Sequence, residues 1–266
     1  MSKHAFSDLP AGFLLSACPT DCADKPEKEA AATALAGLQK TLEELQDRLY
    51  ASRKGSILLV LQGMDTAGKD GTIRRLFSTI TPQGLTTHAF KLPTAEEMAH
   101  DFLWRAHPHT PERGMIGIFN RSYYEAAVSD LVQGLIDPAE RDRRCAHICR
   151  FEEMLADNGT ELVKCFLHIS KAEQKQRLLK RLEDPSKRWK LSEADLSSRA
   201  QWDDYQSGWS AAIAKTATAA APWQVIPADH KWYRDLAVAE LLVETLRRMD
   251  PQYPPLTRQI KPEEIK

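Results

Sequence analysis

The stretch "GMDTAGKDG", Gly63 to Gly71, follows the apolar run "SILLVLQ" (56–62) and departs at one position from the phosphate-loop pattern G-x-x-x-x-G-K-[ST]. Gly63 and Gly68 permit a tight strand-to-helix turn. The backbone amides of Met64, Thr66, Ala67 and Gly71 belong to a cradle for an anion, and Lys69 adds a point charge. Where a hydroxyl normally meets magnesium stands Asp70, and a second carboxylate, Asp65, sits inside the loop. A carboxylate in an anion cradle makes sense when it holds a divalent cation, because the ion inverts the local electrostatics. Asp65 is therefore the candidate magnesium ligand. Asp70, at the start of the following helix, is favoured by the helix dipole and is placed to cap the helix or to reach the metal's waters.

Outward from the loop, the chain alternates between short apolar runs and helical patterns. "SILLVLQ" is continuous rather than alternating, as in a parallel strand buried on both faces. Further strands are expected in "TTHAFKLP" (86–93), "GMIGIFNRSYYE" (114–125), "ELVKCFLHIS" (161–170) and "PWQVIPAD" (222–229). Helices are expected in "KDGTIRRLFSTI" (69–80), "AEEMAHDFLWRAHPH" (95–109), "RDRRCAHICRFEEMLADNG" (141–159), "KAEQKQRLLKRLED" (171–184) and "YRDLAVAELLVETLRRM" (233–249). This alternation predicts an α/β fold of three layers: a central parallel sheet of about five strands with helices on both faces, and ligands beyond the carboxyl ends of the strands.

The 266 residues, 42% of them hydrophobic, suffice for one large domain, 1–266, and no shift in composition marks a second. Lys and Arg total 36 against 37 Asp and Glu, so no nucleic acid or membrane partner is indicated and any anion site must be built locally. No apolar stretch approaches the ~20 residues of a membrane span, and the N-terminus lacks a convincing signal peptide, which points to the cytoplasm. Five cysteines fit a reducing compartment better than a disulfide framework. Cys18 with Cys22, and Cys145 with Cys149 near His147, are weak zinc candidates because no second ligand pair stands at zinc-finger distance. Residues 1–29 lack periodicity and are expected to form an extended arm, lying on the domain or partly disordered. Leu35, Leu38, Leu42, Leu45 and Leu49 make one helical stripe, too short for a coiled coil of ~3–4 heptads and expected to pack on its own core, though a subunit contact is the alternative.

Two further groups of residues carry chemistry. The strand ending in "FNRSYYE" delivers Asn120, Arg121 and Glu125 to the loop's side of the sheet, and Asn120 offers an oxygen where related architectures place a carboxylate near magnesium. The segment 177–205 holds Arg177, Lys180, Arg181, Lys187, Arg188, Lys190 and Arg199, in the position of a mobile lid. Such an excess of cations suits a clamp on a highly anionic ligand.

"GMDTAGKDG", "FKLPTAEEMAHDFLWR", "IFNRSYYE", "DPSKRWKLSEADL" and "APWQVIPADHKWYRDL", in this order, resemble the second polyphosphate kinase family across roughly residues 30–255. The resemblance implies a P-loop kinase fold similar to thymidylate kinase, with a helical lid, and phosphate transfer between inorganic polyphosphate and nucleotides with magnesium, or manganese as a substitute. It implies Asp65 as a metal ligand; Asn120 stands where some branches of the family have Asp, and either Asn120 or Glu125 completes the metal site. Lys69, Arg121, Glu125 and the lid residue Arg181 join Asp65 and Asn120 as catalytic candidates. Candidate polyphosphate or nucleotide contacts are Gly63, Met64, Thr66, Ala67, Gly68, Asp70, Gly71, Lys91, Arg105, Arg177, Lys187, Arg188 and Lys190. The "FNRSYYE" form resembles the branch that accepts AMP and ADP, making ATP in two steps. A homo-oligomer, dimer or tetramer, is expected on the same ground. An ATP-dependent nucleoside monophosphate kinase and a non-catalytic nucleotide-binding P-loop protein are the rival readings.

Overall fold

The computed structural model describes residues 5–6, 12–259 and 264–265. Its centre is a six-stranded sheet ordered β1-β6-β5-β2-β4-β3. The five strands read from the sequence are all parallel: β2 (Ser56–Gln62), β3 (Leu85–Ala89), β4 (Ile116–Asn120), β5 (Thr160–His168) and β6 (Trp223–Pro227). β2 lies between β4 and β5 with all seven residues buried, which is why its run is apolar without alternation. β3, at one edge, has no fully buried residue. At the other edge β1 (Ala5–Phe6) pairs antiparallel with β6, in a region read from sequence only as an extended arm. Residues 1–4 and 7–11 of that arm lie outside the described residues. Its next part is fixed to the domain. Leu15 is fully buried and its N–H donates to Ser210 Oγ at 2.8 Å, while Thr20 O accepts from Asp229 N at 3.1 Å.

Helices α1 (Lys28–Ser52), α2 (Lys69–Phe77) and α9 (Lys231–Met249) form one layer, and α4 (Glu125–Val132), α5 (Pro138–Asp157) and α8 (Trp202–Thr216) the other. The leucine stripe of α1 faces inward, with Leu35, Leu42 and Leu49 buried and Leu38 and Leu45 packed against the same core. The stripe thus packs on the chain's own core, the first of the two expectations. The helix expected over 95–109 is broken. A capping box between Thr94 and Glu97 starts α3, but it spans only Ala95–Met98, because Asp101 Oδ1 then accepts from the amides of Leu103 and Trp104 in place of the helical carbonyls. The segment 177–205 folds as the end of α6 (Lys171–Glu183), a 3-10 turn Arg188–Lys190, α7 (Glu193–Ala200) and the start of α8. Among the described residues no helix is long and apolar enough to cross a membrane. All five cysteines are free, and no group of three or more His, Cys, Asp or Glu there could hold a metal, so the zinc candidates carry nothing.

One charged pair is sealed in the core beneath the strand ends. Lys164 Nζ of β5 donates to Glu152 Oε2 at 2.7 Å, Tyr124 OH at 3.0 Å and Thr216 O at 2.8 Å. Glu152 Oε1 accepts from Tyr123 OH at 2.9 Å and Tyr124 OH at 2.8 Å. Burial, together with the Glu152 charge, pushes both phenols well above their ordinary pKa, so they remain donors. The network ties the segment after β4 to α5, β5 and α8. Removing one partner strands the other charge, so Glu152→Ala is expected to cost ~3–5 kcal/mol, seen as an earlier midpoint in denaturant unfolding.

Candidate active site

A loop that offers its amides to an anion turns its carbonyls outward, since each peptide is planar and trans, and each carbonyl then needs a donor. Every carbonyl from Gly63 to Gly68 has one. Gly63 O accepts from Lys69 Nζ at 2.9 Å, Met64 O from Ala67 N at 3.0 Å, and Asp65 O from Gln174 Nε2 at 3.1 Å. Thr66 O accepts from Arg177 Nη1 at 2.9 Å; Ala67 O accepts from the same nitrogen at 2.9 Å and from Arg234 Nη1 at 3.1 Å; Gly68 O accepts from Thr72 N at 2.9 Å. The amides of Met64, Asp65, Thr66 and Gly68, by contrast, donate to no protein acceptor among the described residues. Together with the N-terminus of α2, which has no side-chain cap, they form an anion-binding surface.

Arg177, expected to touch polyphosphate, is instead a brace. It is 6% exposed, and its other donors go to Glu173 Oε1, Ala228 O and Asp229 O, so all five N–H groups are used. Arg234 was not singled out in the sequence. It is 2% exposed, pairs with Asp235 at 2.7 Å and fills the space behind Gly68. A Cβ on Gly68 would stand 1.7 Å from Arg234 Nη1, at a φ of +109°. Asp235 also accepts from Thr72 Oγ1 at 3.0 Å, clamping α2 to α9. Gln174, Arg234 and Asp235 lie more than a hundred residues from the loop and belong to helical stripes, so no local signal marks them.

The loop and the end of β4 meet through charge. Arg121 Nη2 donates to Asp65 Oδ1 at 2.9 Å, Asn120 Nδ2 to Asp70 Oδ1 at 2.7 Å, and Lys190 Nζ to Asp70 Oδ2 at 3.1 Å. Arg121 has the left-handed backbone, φ +62°, as does Thr66 in the loop, φ +67°. For non-glycine residues this costs ~1–3 kcal/mol each, and such strain gathers at functional sites. Burial tends to lower the Arg121 pKa, but Glu125 and Asp65 outweigh it and raise it. Glu125 accepts from Ser129 Oγ at 2.6 Å and, in the amide orientation that satisfies both ends of Gln62, from Gln62 Nε2 at 3.0 Å. Lys69 is buried. Desolvation, then repulsion from Arg121, lowers its pKa to about 8 against the pull of Asp65, Glu125 and Asp70. Burial opposes ionisation of Asp70, yet the bonds from Asn120 and Lys190 hold it below the usual carboxylate range. Asp70 therefore does not cap α2.

Asp65, Lys69, Asp70, Asn120, Arg121, Glu125 and Lys190 are thus one cluster. Other candidates are engaged elsewhere. Arg181 faces Asp195 of α7 at 3.8 Å, Lys187 pairs with Asp184, and Arg188 Nε donates to Leu182 O at 2.8 Å. Arg105 pairs with Glu97 at 3.3 Å, donates to Lys91 O at 2.8 Å and lies over the Phe90 ring.

A sequence model of the polyphosphate kinase 2 family matches residues 25–254. The chain belongs to the polyphosphate kinase 2 family. An AMP/ADP-polyphosphate phosphotransferase of Meiothermus ruber is 49% identical over 227 residues, 85% of either chain. An ADP-polyphosphate phosphotransferase of Rhodopseudomonas palustris is 42% identical, over 81% of this chain and 79% of that one. The crystal structure of polyphosphate kinase 2 from Arthrobacter aurescens superposes with a TM-score of 0.92 at 42% identity, covering 97% of this chain and 93% of that one. The fold is accordingly the P-loop kinase fold.

Within this member of the polyphosphate kinase 2 family the donor set suits a hard cation. Magnesium keeps several waters and needs only one or two protein oxygens beside substrate phosphates, so a ready-made cage is not required. With Asp65 Oδ1 on Arg121 and Asn120 Nδ2 on Asp70, Asp65 Oδ2 and Asn120 Oδ1 are the oxygens such an ion would take.

Two outcomes are expected. Gly68→Ala should lose phosphate-ligand binding, because both the φ and the Arg234 contact forbid a side chain; equilibrium dialysis with polyphosphate measures this. Lys69 should release its proton as pH rises through about 8, so the ligand-free protein should bind phosphate chains most tightly below that pH and progressively less above it. A Lys69→Arg variant, charged throughout, should flatten the profile.

Proposed function

We propose that the protein transfers the terminal phosphoryl group of inorganic polyphosphate to AMP and ADP, forming ADP and ATP reversibly, with magnesium. The observation that carries this reading is the loop whose carbonyls are all tied back while the amides of Met64, Asp65, Thr66 and Gly68 donate to no protein acceptor among the described residues, beside Lys69 and Arg121. The names of the relatives in Meiothermus ruber and Rhodopseudomonas palustris support the donor and the acceptors.

The reaction is an in-line displacement in which the protein positions two anions and spreads the charge of the transferring group. The loop amides and Lys69 hold one phosphate. Arg121, turned over the loop by its left-handed backbone and held by Asp65, stands where charge develops. Asp65 and Asn120 would hold magnesium, which supplies neutralisation of the phosphate oxygens. Arg177 is a fixed brace under the loop, and the rest of the segment 177–205 acts as a lid that meets the loop through Lys190 and Asp70. Free thiols and these substrates suit a cytoplasmic setting, and the protein assembles as a homo-oligomer, a dimer or tetramer.

An ATP-dependent monophosphate kinase would place a hydroxyl on the nucleotide's magnesium, whereas Asp70 is committed to Asn120 and Lys190. The deciding assay supplies AMP, long-chain polyphosphate and magnesium without ATP. ADP and then ATP are expected by chromatography; their absence, with activity only when ATP is added, would establish the rival. Arg121→Ala should lower kcat on the order of 10³-fold with a smaller change in either KM.

A further inference from the structure

Within the loop, Thr66 alone among the non-glycine residues has a left-handed backbone, φ +67°. It is a β-branched residue, for which that conformation is a marked outlier. Its buried Oγ1 has no hydrogen-bond partner among the described residues, so nothing its side chain does offsets the strain. Turning over the one planar peptide between Asp65 and Thr66 would relieve it, because the turn is shared by the ψ of Asp65 and the φ of Thr66 and carries the latter to negative values. The cradle would be reversed at that point. The Thr66 N–H, which donates to no protein acceptor among the described residues, would point away from a phosphate, and the Asp65 carbonyl would point toward it.

One side chain opposes that turn. Gln174 of α6 is fully buried, and its Nε2 donates to Asp65 O at 3.1 Å. On the same face of α6, Arg177 Nη1 donates to Thr66 O at 2.9 Å, so the peptides on both sides of Thr66 are held from a single helix. Gln174 can do this only with its amide one way round. Its Oε1 accepts from Arg199 Nη1 at 2.9 Å. A guanidinium has only hydrogens to give and a carbonyl only lone pairs, so an amide lying between them has one orientation that satisfies both. Arg199 is fixed in turn by a bond to Lys171 O at 2.8 Å. It belongs to α7, inside the lid, whose first turn faces Arg181 through Asp195 at 3.8 Å.

We propose that Gln174 is a positioning residue that keeps the 65–66 peptide in its anion-accepting sense against the strain at Thr66, and that Arg199 sets the Gln174 amide, so that the seating of α7 is felt at the loop. The inference rests on the reading of the loop as the seat of a phosphate. Gln174 touches no reacting atom; it acts through the backbone of Asp65, whose carboxylate holds Arg121 at 2.9 Å. With Arg199 withdrawn, Gln174 Oε1 is left buried without a donor, and the two orientations of the amide come closer in energy. One of them sets an oxygen against Asp65 O. The turned peptide, which offers the Thr66 N–H to that oxygen, is then the better match. Peptide and amide form a two-position element, and a phosphate on the Thr66 N–H and α7 on Gln174 favour the same position.

Titration calorimetry of tripolyphosphate into the protein, with no acceptor nucleotide and no turnover, tests this. Gln174→Glu keeps the size and the contact with Arg199 but sets an oxygen against Asp65 O, and should weaken binding by about 5- to 30-fold. Arg199→Leu should act in the same direction, and Arg199→Lys, which keeps a donor, should act less. Thr66→Gly removes the strain that favours the turn, so added to Gln174→Glu it should recover most of the loss. The same recovery is expected when it is added to Arg199→Leu, which alters a half-buried side chain and leaves the core intact. A glutamine that merely packed would give a loss without recovery. Full binding in Gln174→Glu or Arg199→Leu, or a loss that Thr66→Gly does not recover, would overturn the inference. Failure of the wild type to bind tripolyphosphate would refute the phosphate seat itself, and wild-type binding without polyphosphate-dependent activity would refute the proposed function alone.

Discussion

The outward carbonyls of residues 63–68 are the constraint around which the site is assembled. An anion cradle made of amides exposes an equal row of acceptors on its far side, and behind this loop there is little water to satisfy them. Two buried guanidiniums take up that role for Thr66 and Ala67, and Lys69, Gln174 and the amides of Ala67 and Thr72 for the rest. Arg177 places four of its donors on Thr66, Ala67, Ala228 and Asp229, joining the loop to the end of β6, and Arg234 reaches Ala67 from α9. Guanidinium is suited to this because its donors lie in a fixed fork and its charge is weakly hydrated, whereas an ammonium would cover fewer carbonyls at greater desolvation cost. The carbonyls of Thr66 and Ala67 thus face two cations, and the amides of Met64, Asp65, Thr66 and Gly68 are left for a ligand.

The cradle is useful only if the end of β4 stays where it is, and there the backbone is strained at Arg121. The residues that follow hold it. Ser122 is buried against Gln62, and Tyr123 and Tyr124 are anchored by the Glu152 and Lys164 pair in the core. A buried ion pair of this kind is a poor source of net stability but a strict guide to position, since any shift leaves a charge unpaired. Rigidity bought in the core is spent on presenting one arginine beside one aspartate.

Much of this was legible in the sequence. The five parallel strands and the loop could be read because continuous apolar runs followed by glycines have few other meanings. The cluster of Asp65, Lys69, Asn120 and Arg121 could be read because all four lie at strand or loop ends, which the fold brings together. The broken helix after Thr94 could not, because Asp101 looks like any surface carboxylate until it is seen taking two backbone amides. Arg177 was misjudged for a related reason: a run of cations does not say which member turns inward to carbonyls and which stays in water. Gln174 was not legible either, since its distinguishing property is the carbonyl it meets in three dimensions.

The carboxylate at the hydroxyl position of the loop takes on its meaning from its partners. A serine or threonine there would give a cradle whose charge is set by Lys69 and the metal alone. Asp70 adds an anion but draws in Lys190 and the Asn120 amide, so the mouth of the site already contains an ion pair. On the proposed reading, a phosphate entering that mouth would compete with Asp70 for Lys190, so that binding would exchange one anion for another. Asp70 holds the Lys190 ammonium at the loop in the ligand-free protein, and a chain with charge on every unit would offer that cation a new partner at each successive phosphate. A carboxylate in an anion cradle is then no contradiction: it keeps a cation in place beside the loop amides.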